Sequence, residues 1–192
     1  MKPLPSSSVF ISISTIFIIP TARLPSSVVT GGLYAASIWV GISSADKSSH
    51  ILQAGIYTDV TLGKGGSQQA TYSAWWEWLP AASTDITSNE FLVKPGDKLE
   101  VIVLLASPTS GSVVLENLST GQISQKNVVP SNIKGSGLLG MRAEWIVESY
   151  SGRLELPDFG TVEFTECKFQ HLKELIWIEL GKGILLIPRF CV

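Results

Sequence analysis

Apolar and polar residues alternate with a period of two along most of this chain. Leu99, Val101, Val103 and Leu105 recur at every second position of Lys98–Ala106, the spacing that lays side chains on one face of a strand. Gln69–Leu79 alternates in the same way and is rich in aromatics. Val9–Ile19 is β-branched and stops at Pro20, and Ser37–Ile42 is a short apolar run ending in a Ser-rich turn. Ile51–Tyr57 leads to Gly63-Lys64-Gly65-Gly66, which reads as a hairpin turn. Ser112–Asn117 and Gly121–Val129 flank Leu118-Ser119-Thr120 as a second hairpin, and Met141–Glu148 and Gly160–Thr165 complete the set. Many short strands with Gly, Pro, Ser and Asn between them predict an all-β sandwich or barrel.

The two ends differ from the body. Met1–Ile19 has a lysine followed by an apolar run, which imitates a signal peptide. Its β-branched content, Ser12 and Ser14, and the lack of a small-residue cleavage site close behind favour a strand. From Cys167 the pattern changes. Phe169, Leu172, Leu175, Ile176 and Leu180 suit a helix over Lys168–Leu180, while Ile176–Ile178 and Ile184–Ile187 suit strands. Periodicity leaves both readings open. The expected organisation is a sandwich over residues 1–166 and an atypical tail over 167–192.

Composition narrows the chemistry. Charged residues are 16% of the 192, low against about 25% in ordinary soluble domains. The net charge is −2 and the fourteen basic residues are scattered, so nucleic-acid binding is not expected. His50 and His171 are the only histidines and form no H-E-x-x-H pair. His50 lies in a polar turn and reads as a solvent-exposed loop residue. Cys167 and Cys191 cannot build a four-cysteine metal site. They could form one disulfide in a secreted chain or remain two thiols. The glycine cluster lacks phosphate-loop spacing, and no Asp-Thr-Gly or Asp-Ser-Gly occurs. No metal or cofactor is expected. Asn117-Leu118-Ser119 matches a glycosylation acceptor, but short polar residues are also what a hairpin turn favours.

What remains is a carboxylate and an amide on strand-like segments. A carboxylate among β-branched and aromatic residues, as Glu144 is in Arg142–Glu148, is costly unless it is used. Gln53, in Ile51-Leu52-Gln53-Ala54-Gly55, offers both a donor and an acceptor. On neighbouring strands the two could hold and activate a water.

Several motifs then occur in order: Tyr34–Ile42 with its Trp39-Val40-Gly41 core, Ile51–Gly55, Ala74-Trp75-Trp76-Glu77-Trp78, Val114–Gly121, Ala143–Glu148 and Asp158–Val162. Over roughly Ser14 to Thr165 the chain resembles the eqolisins, the fungal glutamic peptidases. The resemblance implies a lectin-like β-sandwich of two antiparallel sheets and peptide-bond hydrolysis at acidic pH. It places the catalytic pair on Gln53 and Glu144 and substrate-cleft residues on Trp39, Trp75 and Glu77. It also implies polypeptide substrates, no membrane partner, a monomer and secretion.

Strand geometry agrees with those roles. Trp75 and Glu77 share one face and Trp76 and Trp78 the other. Glu144 shares its face with Arg142, Ile146 and Glu148, leaving Ala143, Trp145 and Val147 on an apolar core face. Glu144 as general base would take a proton from water, since a free Glu has a pKa near ~4.3. The Gln53 amide would donate to the oxyanion, worth about 3 kcal/mol for one such donor.

The chain departs from the family pattern at Ser43, Ser73 and Tyr57, where acidic residues are common. Fewer acidic neighbours should change the pKa environment of the cleft. The family's first strand around Asn-Trp-Ala-Gly, its leader, its propeptide and its final strand have no counterpart in the expected organisation. Two other readings stand beside the peptidase: a non-catalytic peptide- or carbohydrate-binding sandwich using Trp39, Trp75 and Trp78, or an inactive truncated paralogue. The peptidase reading requires Gln53 and Glu144 on the same layer with room for a water.

Overall fold

The structure, a computed structural model, describes residues 9–26, 32–44, 50–63, 66–131, 137–150, 154–172, 175–180 and 183–188, the last two segments as backbone only. The strands are β1 (Val9–Ile18), β2 (Leu33–Ser43), β3 (Ile51–Leu62), β4 (Gln68–Leu79), β5 (Thr84–Ile86), β6 (Lys98–Ser107), β7 (Ser110–Asn117), β8 (Gln122–Val128), β9 (Arg142–Glu148), β10 (Thr165–Leu172), β11 (Leu175–Leu180) and β12 (Gly183–Pro188). They form one five-stranded sheet in the order β10-β1-β6-β7-β8 and another in the order β5-β4-β3-β2-β9, while β11 and β12 pair separately.

The two five-stranded sheets are the layers of a sandwich. Leu99, Val101 and Val103 of β6 and Val113 and Leu115 of β7 are fully buried at alternate positions. They meet Ile38, Val40 and Ile42 of β2, Leu52, Ala54 and Ile56 of β3, and Trp78 of β4 in one apolar cluster. Burying such a face removes water from apolar surface, about 25 cal/mol for each Å². Strand β1 keeps its apolar face inward across an irregularity: Phe10 and Ile13 are both buried, and the ladder to β10 shifts register between Phe10 and Ser12. One extra residue there changes the alternation phase. Thr15 lies on the same buried face, and its hydroxyl donates to the Thr165 carbonyl at 2.9 Å.

Four sequence expectations change. The strand expected at Gly160–Thr165 begins only at Thr165 and runs to Leu172. Gly160 takes a φ of 66°, in the left-handed region that interrupts an extended run. The residues after it cross the core edge, where Val162 and Phe164 pack on the apolar cluster. The described residues of Lys168–Leu180 form no helix. Residues there are strands instead, because the edge of β1 offers β10 a ladder, with Ile13 opposite Phe169. His50 is not a solvent-exposed loop residue but is 2% exposed, with Nδ1 3.1 Å from the Leu79 carbonyl oxygen. Trp78, considered above as a cleft aromatic, is a core residue.

Asn117 is completely buried. Its amide nitrogen donates to the Leu92 carbonyl at 3.2 Å and to Asp97 Oδ2 at 2.8 Å, and its oxygen accepts the Ser119 amide at 3.1 Å. The side chain is structural, and the nitrogen that a glycan would occupy is enclosed. Cys167 is an exposed free thiol. Cys191, Lys64, Gly65 and residues 1–8 of the signal-like segment lie outside the described residues.

Candidate active site

The site lies on the face of the β5-β4-β3-β2-β9 sheet turned away from the core. Ladder register, not sequence proximity, assembles it. Gln53 pairs with Glu77 on β4 and with Gly41 on β2. Gly41 in turn pairs with Glu144 on β9. Residues at matching ladder positions share a face, so Glu77, Gln53, Gly41 and Glu144 form one cross-strand row. With strands about 4.8 Å apart, the Gln53 and Glu144 backbones are about 10 Å apart. Gly41 lies between them in the ladder.

Gly41 is the member of this row that sequence reading missed. A Cβ built there would lie 2.9 Å from Gln53 Cβ, 3.0 Å from Trp39 Cζ3 and 3.1 Å from the Leu52 carbonyl oxygen. The lack of a side chain keeps the floor between the amide and the carboxylate low. Period two would have placed Gly41 beside Trp39, but the pairing with Gln53 and Glu144 is a property of the folded sheet.

The next row along the same face is Trp75, Gly55, Trp39 and Ile146. Trp39 is 6% exposed, and its indole N–H donates to Glu148 Oε1 at 3.0 Å. Gly55 has to be glycine for packing: a Cβ would fall 2.7 Å from both Cα and Cβ of Trp39. Trp75 stacks on Tyr57 at 4.8 Å between centroids and 9° between planes. Tyr57 also meets Tyr150 at 4.6 Å, and the Tyr150 hydroxyl donates to Asp59 Oδ1 at 2.7 Å. Trp39, Trp75 and Glu77 therefore lie on the same face as Gln53 and Glu144. The Tyr57–Tyr150 contact was not legible in the sequence, because the two residues lie far apart along the chain.

Gln53 is 7% exposed. Its amide nitrogen donates a hydrogen bond to Glu77 Oε2. Its oxygen is buried and has no hydrogen-bond partner among the described residues, and the same holds for the indole nitrogen of Trp75. Burial pushes the Glu77 carboxyl above the usual carboxylate range, and hydrogen bonds from Gln53 and the Ser83 backbone partly oppose this. Tyr57 is also pushed up, first by burial and then by the charges of Glu77, Asp85 and Asp59, against a hydrogen bond with Ser83. Tyr150 is raised by burial and by its bond to Asp59. Among the described residues, no group of three or more His, Cys, Asp or Glu side chains is arranged to hold a metal ion. No helix among them is long and apolar enough to cross a membrane.

An antiparallel sandwich with an amide–carboxylate row on one outer face defines a class of protein, and comparison with known proteins gives that class its name. The chain belongs to the Peptidase A4 family, whose model matches residues 3–183. It is 38% identical over 138 residues to aspergillopepsin-2 of Aspergillus niger, a match covering 70% of this chain and 46% of that protein. It is 36% identical over 160 residues to scytalidopepsin B of Scytalidium lignicola, covering 77% of this chain and 55% of that one. The chain thus spans about half the length of these curated relatives. Its fold matches a crystal structure of scytalido-glutamic peptidase with a peptide-based transition-state analogue: the TM-score is 0.64 at 34% identity, over 88% of this chain and 78% of that one.

Proposed function

We propose that this chain is an acid endopeptidase of the glutamic type, with Glu144 as general base and Gln53 as oxyanion donor. The observation that carries this reading is the shared row of Gln53, Gly41 and Glu144, with no side chain between the amide and the carboxylate. A water above Gly41 gives one proton to Glu144 as its oxygen attacks the scissile carbonyl carbon. The carbonyl π electrons move onto oxygen, and an amide N–H of Gln53 stabilises that charge, an effect typically worth about 3 kcal/mol. Collapse re-forms the carbonyl and breaks the C–N bond, and Glu144 returns its proton to the leaving amine. No acyl-enzyme forms.

Glu77 at the end of the row and Trp39 and Trp75 in the next row are assigned to substrate binding. Aromatic faces beside polar groups suit an extended peptide. Polypeptide substrates, secretion and a monomeric state belong to this same reading, supported by kinship with fungal peptidases. The test is hydrolysis of a denatured protein at about pH 3 to 4, where an ordinary carboxylate is near its midpoint. Cleavage by the natural chain that Glu144→Gln abolishes supports the proposal. Peptide binding without cleavage would make the cleft a binding module instead.

A further inference from the structure

Two observations about Gln53 belong together. Its amide nitrogen is engaged by Glu77, and its amide oxygen is buried without a partner. An ionised carboxylate only accepts hydrogen bonds, so it holds the nitrogen edge of the amide on the Glu77 side. A protonated carboxyl also carries a donor and can serve the oxygen edge instead. Half a turn of the terminal amide exchanges its oxygen and nitrogen and leaves the backbone in place.

We propose that Glu77 is a proton-sensitive positioning residue for Gln53. As a carboxylate it takes the Gln53 N–H; as an acid it gives its own proton to Gln53 Oε1 and turns the amide nitrogen to the edge away from Glu77. This rests on the peptidase reading above and adds a second carboxyl to it. Acid then does two things: it protonates Glu77, and it thereby presents a donor where an oxyanion forms. The swap pairs the oxygen with Glu77 and leaves the N–H groups where the unpartnered oxygen stood, free to meet an oxyanion. Burial of Glu77 already favours its neutral form.

The other charges near Glu77 do not supply that proton by pairing. Tyr57 lies on the same face of β3, and Asp85 on β5 pairs with Trp75, the face-sharing neighbour of Glu77. Asp59 is further along β3 and accepts from Tyr150. Glu144 is across Gly41, with Arg142 and Glu148 on the same face of β9. His50 lies at the chain entry to β3, directed to the Leu79 carbonyl. The nearest titratable neighbours, Tyr57 and Asp85, carry no positive charge at any pH, so among the described residues no cation beside Glu77 holds it ionised by attraction.

The test follows the side-chain amide of Gln53 by nitrogen-15 NMR on the full chain, titrated between about pH 3 and 7, across the carboxylate range. The expected result is an amide shift with the same midpoint as the Glu77 carboxyl carbon, lost in Glu77→Gln. In parallel, kcat of the natural chain on a peptide should fall as Glu77 ionises. In Glu77→Gln, whose amide can donate at every pH, that falling limb should move up by about one pH unit or more. An amide signal in the natural chain that ignores the Glu77 midpoint overturns the proposal, as does a Glu77→Gln variant that keeps the natural falling limb. The NMR titration decides even if no peptide is cleaved, so failure of the peptidase reading stays distinguishable from failure of this one.

Discussion

Gln53 and Glu144 stand in one cross-strand row, separated by a single strand whose residue in that row, Gly41, has no side chain. They come from β3 and β9, and strand β2 lies between those two in the sheet. Because β2 is flanked on both sides by ladder partners, its position is fixed by two sets of hydrogen bonds. A row on such a strand is a rigid place to hold two reacting groups.

Gly41→Ala is expected to lower activity more than stability. The new methyl would meet Gln53 Cβ at 2.9 Å and Trp39 Cζ3 at 3.0 Å. Displacing the amide by a fraction of its length should reduce kcat by about 10²-fold. The fold should lose about 1–3 kcal/mol from overpacking. Steady-state kinetics beside urea unfolding separates the two effects.

The raised Glu77 carboxyl gives stability a defined pH dependence. Between the ordinary Glu pKa and the raised folded value, the folded state binds more protons than the unfolded chain. Unfolding free energy therefore falls as pH rises through that window, and the loss is complete above the folded pKa. Glu77→Gln removes this term. Its Tm relative to the natural chain should rise as pH increases from the acid side of the window to the neutral side. A difference that stays flat with pH would show that Glu77 ionisation is not felt by the fold.

Trp39→Phe keeps an aromatic six-membered ring and removes the pyrrole ring with the N–H that reaches Glu148 at 3.0 Å. Losing one such bond should cost the fold about 0.5–1.5 kcal/mol, read by urea unfolding, and leave kcat close to unchanged. A large fall in kcat instead would place Trp39 in the chemical step.

Asn117 is expected to carry no glycan, and its role is stability. Asn117→Ala would strand the Ser119 amide and free Asp97, at a cost of about 1–3 kcal/mol. Intact-mass measurement after expression in a glycosylating host checks the first statement, and thermal unfolding checks the second.

The strands were legible where one face is apolar and the period is clean. Lys98–Ala106 was read almost to the residue, and the observed strand is Lys98–Ser107. Burial on both faces hid the length of β2, which is buried from Tyr34 to Ser43 and so shows no alternation to read. The tail was ambiguous because its apolar residues fit two periods. Only the free edge of β1 selects a strand for Thr165–Leu172. His50 looked polar and exposed because the Leu79 carbonyl that receives it is 29 residues away.

By itself the sequence determined the kind of layers and the residue types of the site. Period-two alternation is a local property, and it forces inward and outward faces on each strand whatever the partners. It put Glu77 with Trp75, and Glu144 away from Trp145, before any pairing was known. The tertiary structure decided the register, which is non-local because a strand can slide by two residues and keep the same face inward. That choice set Gly41 between Gln53 and Glu144, joined Gln53 to Glu77, and left one amide oxygen buried without a partner.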